Sequence, residues 1–198
     1  MTDTNVSIMN IGSMGYLPQV FKKIENEKKL NIVYLGGSIT MGCNATKTEL
    51  RYVDRSAKWW QTNFPDAEIS YFNAGIGATT SQFGVARVQE HVLDKQPDLV
   101  FVEFSVNDSS SPLFMETYES LVRRLLKAES VKAVVLINNL FYNTGTNAQG
   151  IHNAVGLHYD LPIVSVRNYI FPEIQLGNVC LADYTADMLH PTDLGHKM

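Results

Sequence analysis

Two cysteines in 198 residues, Cys43 and Cys180, are too few and too widely spaced for a disulfide framework or a metal-binding cluster. Both are expected as buried or half-buried thiols. Positive charge is also scarce: 16 basic residues against 20 acidic ones give a formal charge of -4, with no Lys/Arg-rich run. That excludes a nucleic-acid backbone as a partner. Long apolar runs are missing as well, the stretch 131–137 being among the longest, so no membrane span is expected. The first thirty residues lack the basic-then-apolar layout of a signal peptide, and a cytoplasmic location is the expectation from this sequence. Glycine and proline number only 13 and 7, and no repeat, low-complexity tract or linker interrupts the chain. Disordered and fibrous classes are thereby excluded.

What remains is an ordinary globular composition, 45% hydrophobic and 18% charged. A chain of this length buries roughly 70% of its unfolded surface, so one domain over 1–198 with its own core is expected. Short β-branched or aromatic runs at 31–35, 69–72, 99–104, 131–137 and 163–166 alternate with amphipathic segments at 17–28, 56–63, 81–94, 114–128 and 147–158. The strand runs are almost wholly apolar rather than alternating, as happens when helices cover both faces of a parallel sheet. The predicted architecture is a three-layer α/β/α sandwich on a mainly parallel, five-stranded sheet. Residues 1–16, polar and without a clear period, are expected to form an arm packed either on the domain or on a partner subunit of a homo-oligomer.

Chemistry-bearing residues gather where the predicted strands end, the edge at which open α/β sheets bind ligands. Gly36-Gly37-Ser38-Ile39-Thr40 follows the first strand, Asn73-Ala74-Gly75-Ile76-Gly77-Ala78-Thr79 the second, and Ser105-Val106-Asn107-Asp108 the third. Near the end of the chain stands Asp187-Met188-Leu189-His190-Pro191. A serine on a sharp glycine turn can present its hydroxyl outward and leave its own N–H free for an oxyanion. A carboxylate three residues before a histidine can accept from Nδ1–H and leave Nε2 for a serine proton. An uncharged amide such as Asn107 suits an oxyanion donor, and the glycine-lined loop at Gly77 can bring a backbone N–H close to a substrate.

Each cluster also has a plainer reading. Ser38 alone reads as a helix cap, Asp187 and His190 as a capping acid beside a surface histidine, and Asn107 as an Asx-turn. A phosphate loop at Gly36–Gly42 is disfavoured because no Gly-Lys-Ser/Thr ending follows. His91, His152, His158 and His196 read as ordinary helix-face residues without partners, and Trp60 with Trp59 as core more readily than as a sugar platform. Residues 138–150, rich in Asn, Gly and Thr, read as a lid or substrate loop.

Taken in order, GGSIT, NAGIGATTS, VND and DMLHP resemble the four blocks of the SGNH hydrolases, the GDSL-type esterase/lipase family, from about residue 31 to 195. The resemblance implies a flavodoxin-like α/β/α hydrolase fold and ester or thioester hydrolysis through an acyl-serine. It makes Ser38 the nucleophile, His190 the base and Asp187 its orienting acid. The oxyanion hole is then the Ser38 N–H, a backbone N–H of Gly77 or Ala78, and the Asn107 amide. No metal or organic cofactor is implied. Two departures stand out: Gly37 replaces the acid of Gly-Asp-Ser, and the usual glycine of the second block falls on Ala78, whose N–H remains usable if its φ is negative. No long apolar insertion shelters an acyl chain, so a small acyl ester, such as acetyl on a carbohydrate, is the expected substrate. Lipid esters, thioesters and a non-catalytic glycan-binding role are the alternatives. The family continues into a C-terminal helix, whereas residues 194–198 read as a helix cut short.

Overall fold

The computed structural model describes residues 4–198. Its sheet has six strands: β1 (Ile8–Asn10), β2 (Lys29–Gly36), β3 (Glu68–Gly75), β4 (Leu99–Glu103), β5 (Ala133–Asn138) and β6 (Ile163–Ser165), ordered β1-β6-β5-β4-β2-β3. Five of them are parallel, as the sequence predicts, and β1 adds an antiparallel edge beside β6. The expected count of five is corrected to six because a three-residue strand is too short to show alternation. The arm therefore packs on its own domain: Ile8 pairs with Val164, and the Asn10 amide donates to the Leu161 carbonyl at 2.9 Å.

Helices α1 (Leu17–Glu27), α2 (Ser38–Met41), α3 (Tyr52–Asn63), α4 (Ser81–His91), α5 (Pro112–Leu126), α6 (Gln149–His158), α7 (Val166–Gln175) and α8 (Leu181–Tyr184) connect and cover the strands. Proline opens α1 and α5 in the first turn, where its missing N–H is harmless. Helix α7 is absent from the sequence reading; Pro172 inside it disguises the period, while the Ser165 hydroxyl caps it by accepting from the Asn168 N–H at 3.1 Å.

Alternate residues of β2 divide between two cores, as pleating requires. Val33 and Leu35 join Val88 of α4, Tyr118 and Leu121 of α5 and Val155 of α6. Ile32 and Tyr34 join Val20 and Ile24 of α1 and Val53 and Trp60 of α3. Burial on both faces makes the three-layer sandwich. Trp60 is core as expected, whereas Trp59 is half exposed at 52%. Cys43 is half-buried, but Cys180 is exposed, which corrects the expectation for that thiol. The last residues form a single 3-10 turn, Gly195–Lys197. None of the helices among the described residues is long and apolar enough to cross a membrane.

The parallel register brings the carboxyl ends of the central strands level, with Gly36 opposite both Gly75 and Glu103. The loops that follow these three positions all open on one edge.

Candidate active site

Ser38 stands at the first residue of α2, directly after β2, and is 7% exposed. As a first-turn residue it has an N–H without an intrahelical partner. The α2 turn is short because Gly42, at φ 102, ends it and donates back to the Ser38 and Ile39 carbonyls.

The D-x-x-H segment arrives from the other end of the chain. A bridge between Thr185 and Pro191 closes it into a loop, with Met188 at φ 68 at its bend. Asp187 organises that loop from within: Oδ1 accepts from the N–H groups of Leu189 at 3.0 Å and His190 at 2.7 Å. Its Oδ2 lies 2.7 Å from His190 Nδ1, and His190 Nε2 lies 2.9 Å from Ser38 Oγ. Serine, imidazole and carboxylate thus form one continuous hydrogen-bonded line. Partial burial works against ionisation of Asp187, but the bonds from the His190 ring and from the His190 and Leu189 N–H groups outweigh it and hold the carboxyl well below its usual range.

Residues just beyond α2 fasten the two halves of the line. Thr46 donates to both Asp193 oxygens, from N–H at 2.8 Å and Oγ1 at 2.6 Å, and His196 Nε2 lies 3.1 Å from the Cys43 carbonyl. From below, Tyr142 donates its N–H to the Met188 carbonyl at 2.8 Å and is itself buried. Leu140 and Ala148 are buried too, so part of the 138–150 segment, read from the sequence as a lid or substrate loop, supports the His190 loop.

Asn107 and the second-block loop complete the surroundings of Ser38. The Asn107 Oδ1 is buried against Gly37, where an added Cβ would lie only 2.5 Å from it, so the Nδ2 end is the one left accessible. Gly77 lies beside the nucleophile position: a Cβ there would fall 3.9 Å from Ser38 Cβ. Among the described residues, none accepts from the N–H of Gly77 or Ala78. Ala78 has φ 58, so the negative φ on which its usefulness as a donor was expected to depend is not met; a glycine would adopt this conformation freely.

Every residue singled out from the sequence, Ser38, Gly77, Ala78, Asn107, Asp187 and His190, is therefore on the same sheet edge. Several groups escaped that reading. His196 is buried, with Nδ1 accepting from the Tyr52 N–H at 3.4 Å and Nε2 on the Cys43 carbonyl, and His91 Nδ1 lies 3.2 Å from Arg87 Nη1, so neither lacks a partner. His152 is not a helix-face residue without a partner: it is fully buried with Nε2 3.0 Å from Asp108 Oδ2. Glu103, ending β4, is also fully buried, and burial pushes its carboxyl up to about 7 despite opposing hydrogen bonds from Asn139 and Ser105. A charged residue closing an apolar strand was the available signal for Glu103. No local signal marks His152, because its partner lies 44 positions away.

Comparison with known proteins places this geometry. No curated protein sequence matches the chain. Among solved structures, a two-domain esterase active on acetylated mannans is 46% identical over 100% of this chain, with a TM-score of 0.97. The same kind of match holds for that esterase co-crystallised with mannopentaose, again 46% identical with a TM-score of 0.97. The chain spans about half the length of those proteins, 53% and 54%. An acetylxylan esterase from Geobacillus stearothermophilus, studied as a catalytic mutant, shares the fold at 20% identity, with a TM-score of 0.71 over 85% of this chain and 89% of its own. The family model of the GDSL-like lipase/acylhydrolases matches residues 34–198. Spanning the nucleophile turn, the second and third blocks and the His190 loop, that match shows that the chain belongs to the GDSL-like lipase/acylhydrolase family.

Proposed function

We propose that the chain hydrolyses acetyl esters carried by a carbohydrate, through an acyl-serine intermediate, with Ser38 as nucleophile, His190 as base and Asp187 as its orienting acid. The observation that carries this reading is the line Ser38 Oγ to His190 Nε2 at 2.9 Å and His190 Nδ1 to Asp187 Oδ2 at 2.7 Å. The likeness to an esterase active on acetylated mannans supports acetylated mannan as the first substrate to try.

His190 takes the Ser38 proton as Oγ attacks the ester carbonyl carbon, and the carbonyl oxygen becomes an oxyanion. The Ser38 N–H, the N–H of Gly77 beside it, and the Asn107 amide receive that charge; each such donor is worth roughly 3 kcal/mol of barrier. The imidazolium, stabilised by Asp187, then protonates the sugar oxygen as it leaves. Water, deprotonated by the same imidazole, attacks the acetyl-serine carbon, and Ser38 leaves with the proton returned from His190. Every proton moves between groups of this chain and the two reactants.

The test is an acetate-release panel of acetylated manno-oligosaccharides, acetylated xylo-oligosaccharides, p-nitrophenyl esters from acetyl to decanoyl, and acyl-CoA. Acetylated sugars and the acetyl p-nitrophenyl ester turning over fastest would agree with the proposal. Preference for long acyl chains or thioesters would replace it by the lipid reading, and no turnover of any ester by the non-catalytic one.

A further inference from the structure

Asp108 follows Asn107 directly and spends both carboxylate oxygens inside the protein. Its Oδ1 accepts from the Ser81 N–H at 2.9 Å, and its Oδ2 meets His152 Nε2 at 3.0 Å. Neither the Asp108 nor the His152 side chain has any exposed surface. The His152 ring lies flat on Tyr118 of α5, centroids 3.6 Å apart and planes 5° from parallel. Ser81 Oγ and Thr117 Oγ1 of α5 lie 2.8 Å apart. One carboxylate therefore joins the turn after β4 to the start of α4 and to α6, with α5 held against both partners.

Those joined segments carry two of the three oxyanion donors. Asn107 precedes Asp108 by one residue, and Ser81 ends the loop that holds Gly77 and Ala78. Beyond the end of β3 that loop has few restraints of its own, namely Ile76 N–H to the Gly36 carbonyl at 3.1 Å and Thr79 Oγ1 to the Ile76 carbonyl at 2.8 Å. At the other end of the loop, Asp108 accepts one of the orphan N–H groups opening an eleven-residue helix, where the dipole favours a negative charge. His152 Nδ1 is buried without a partner, so the ring's hydrogen bond is the one to Asp108. Burial also holds the ring in its neutral form. Neutral imidazole with the proton on Nε2 is the tautomer that fits.

We propose that Asp108 is the positioning residue of the oxyanion hole, fixing the Asn107 amide relative to the N–H of the Gly77 loop through its bonds to Ser81 and His152. It touches neither substrate nor reacting atoms. The inference rests on the acyl-serine reading above.

Asp108→Asn preserves shape but turns one acceptor into an NH2 group. If that group faces Ser81, two donors oppose each other; if it faces His152, the imidazole proton must move to the partnerless Nδ1. In the first case the tie to Ser81 is lost; in the second the tie to His152 survives in reverse, at the cost of a buried Nδ1–H without an acceptor. The experiment is a kinetic cycle on p-nitrophenyl acetate comparing the native chain, Asp108→Asn, Asn107→Ala and the double variant, with circular dichroism and melting curves for each. Asp108→Asn is expected to lower kcat about tenfold with KM within about twofold, and Asn107→Ala to lower it by about 10² or more. In the double variant, the Asp108 change should cost clearly less than it does alone, because one of the two donors it positions is already gone. An Asp108→Asn enzyme within twofold of native, or full multiplication of the two losses, overturns the inference. Should Asp108→Asn fail to fold, His152→Gln, which keeps an N–H donor toward Asp108, enters the same cycle with the same outcomes. If Ser38→Ala still turns over, the acyl-serine reading itself fails. If Ser38→Ala and Asn107→Ala are inactive while the Asp108 loss multiplies, only the positioning role fails.

Discussion

Gly37 and the Asn107 side chain occupy one corner of the molecule, with room for only one of them to carry atoms there: a Cβ on residue 37 would lie 2.5 Å from Asn107 Oδ1. Contact with the Asn107 amide therefore opposes a side chain at residue 37. Gly37→Ala should displace the Asn107 amide and lower kcat about tenfold, with little effect on melting temperature, because a terminal amide moves cheaply while an oxyanion donor does not. Gly37→Asp should lower it further. Steady-state kinetics beside thermal melts check both, and a Gly37→Asp enzyme as active as the native one would contradict the packing argument.

Ala78 is exposed and sits at φ 58. Left-handed backbone costs a non-glycine residue about 1–2 kcal/mol, and glycine's extra freedom in the unfolded chain takes back about 0.4–1. Ala78→Gly should therefore stabilise the fold by about 0.5 kcal/mol, measured by urea unfolding. A loss of stability would mean that the methyl group makes a contact outweighing its strain.

How much of this was readable beforehand follows the range of each interaction. The β2 and β4 runs and the helices between them announce themselves by local periodicity, and the four blocks by local residue type. The Asp187 and His190 pair is legible because three residues separate its members. Ties across the fold leave no such mark: Thr46 with Asp193, Tyr142 with Met188, and Asp108 with His152 connect positions that only the folded sheet makes neighbours. The same holds for the sixth strand, which three residues suffice to build only because β6 offers an edge. The 138–150 segment looked like a loop by composition, and the bond from Tyr142 to the Met188 carbonyl of the His190 loop is a tertiary fact.

Asp187→Asn should keep the loop, since an amide oxygen still accepts from the Leu189 and His190 N–H groups, while its NH2 faces His190 Nδ1 and imposes the wrong tautomer. A fall in kcat of roughly 10²–10⁴ is expected near neutral pH. The hydrogen bonds that depress the native Asp187 carboxyl keep it ionised from neutral into mildly acidic solution. Its stabilising contribution is present above its ordinary 3.8 and is lost as the pH falls through its lowered folded value. Unfolding free energies of the native and Asp187→Asn proteins should therefore differ near neutral pH and converge at the acid end.

Glu103 acts in the opposite sense. Burial raises its carboxyl from an ordinary 4.5 to about 7, so between those values the folded chain holds a proton that the unfolded chain has released. Stability is present in full below the lower value and declines as pH rises toward the upper, by up to about 3 kcal/mol. Glu103→Gln removes the titration, and its unfolding free energy should vary less from pH 5 to pH 8 than that of the native chain. Equal slopes in urea titrations across that range would exclude the effect.

The central claim is that Ser38 is the nucleophile activated by His190. Intact-mass and peptide mass spectrometry after treatment with a fluorophosphonate test it most directly. The account predicts a single adduct on Ser38, absent from Ser38→Ala and much slower to form in His190→Ala, with ester hydrolysis lost in proportion to labelling. An adduct on another residue, or hydrolysis that survives complete labelling or the Ser38→Ala change, would contradict it.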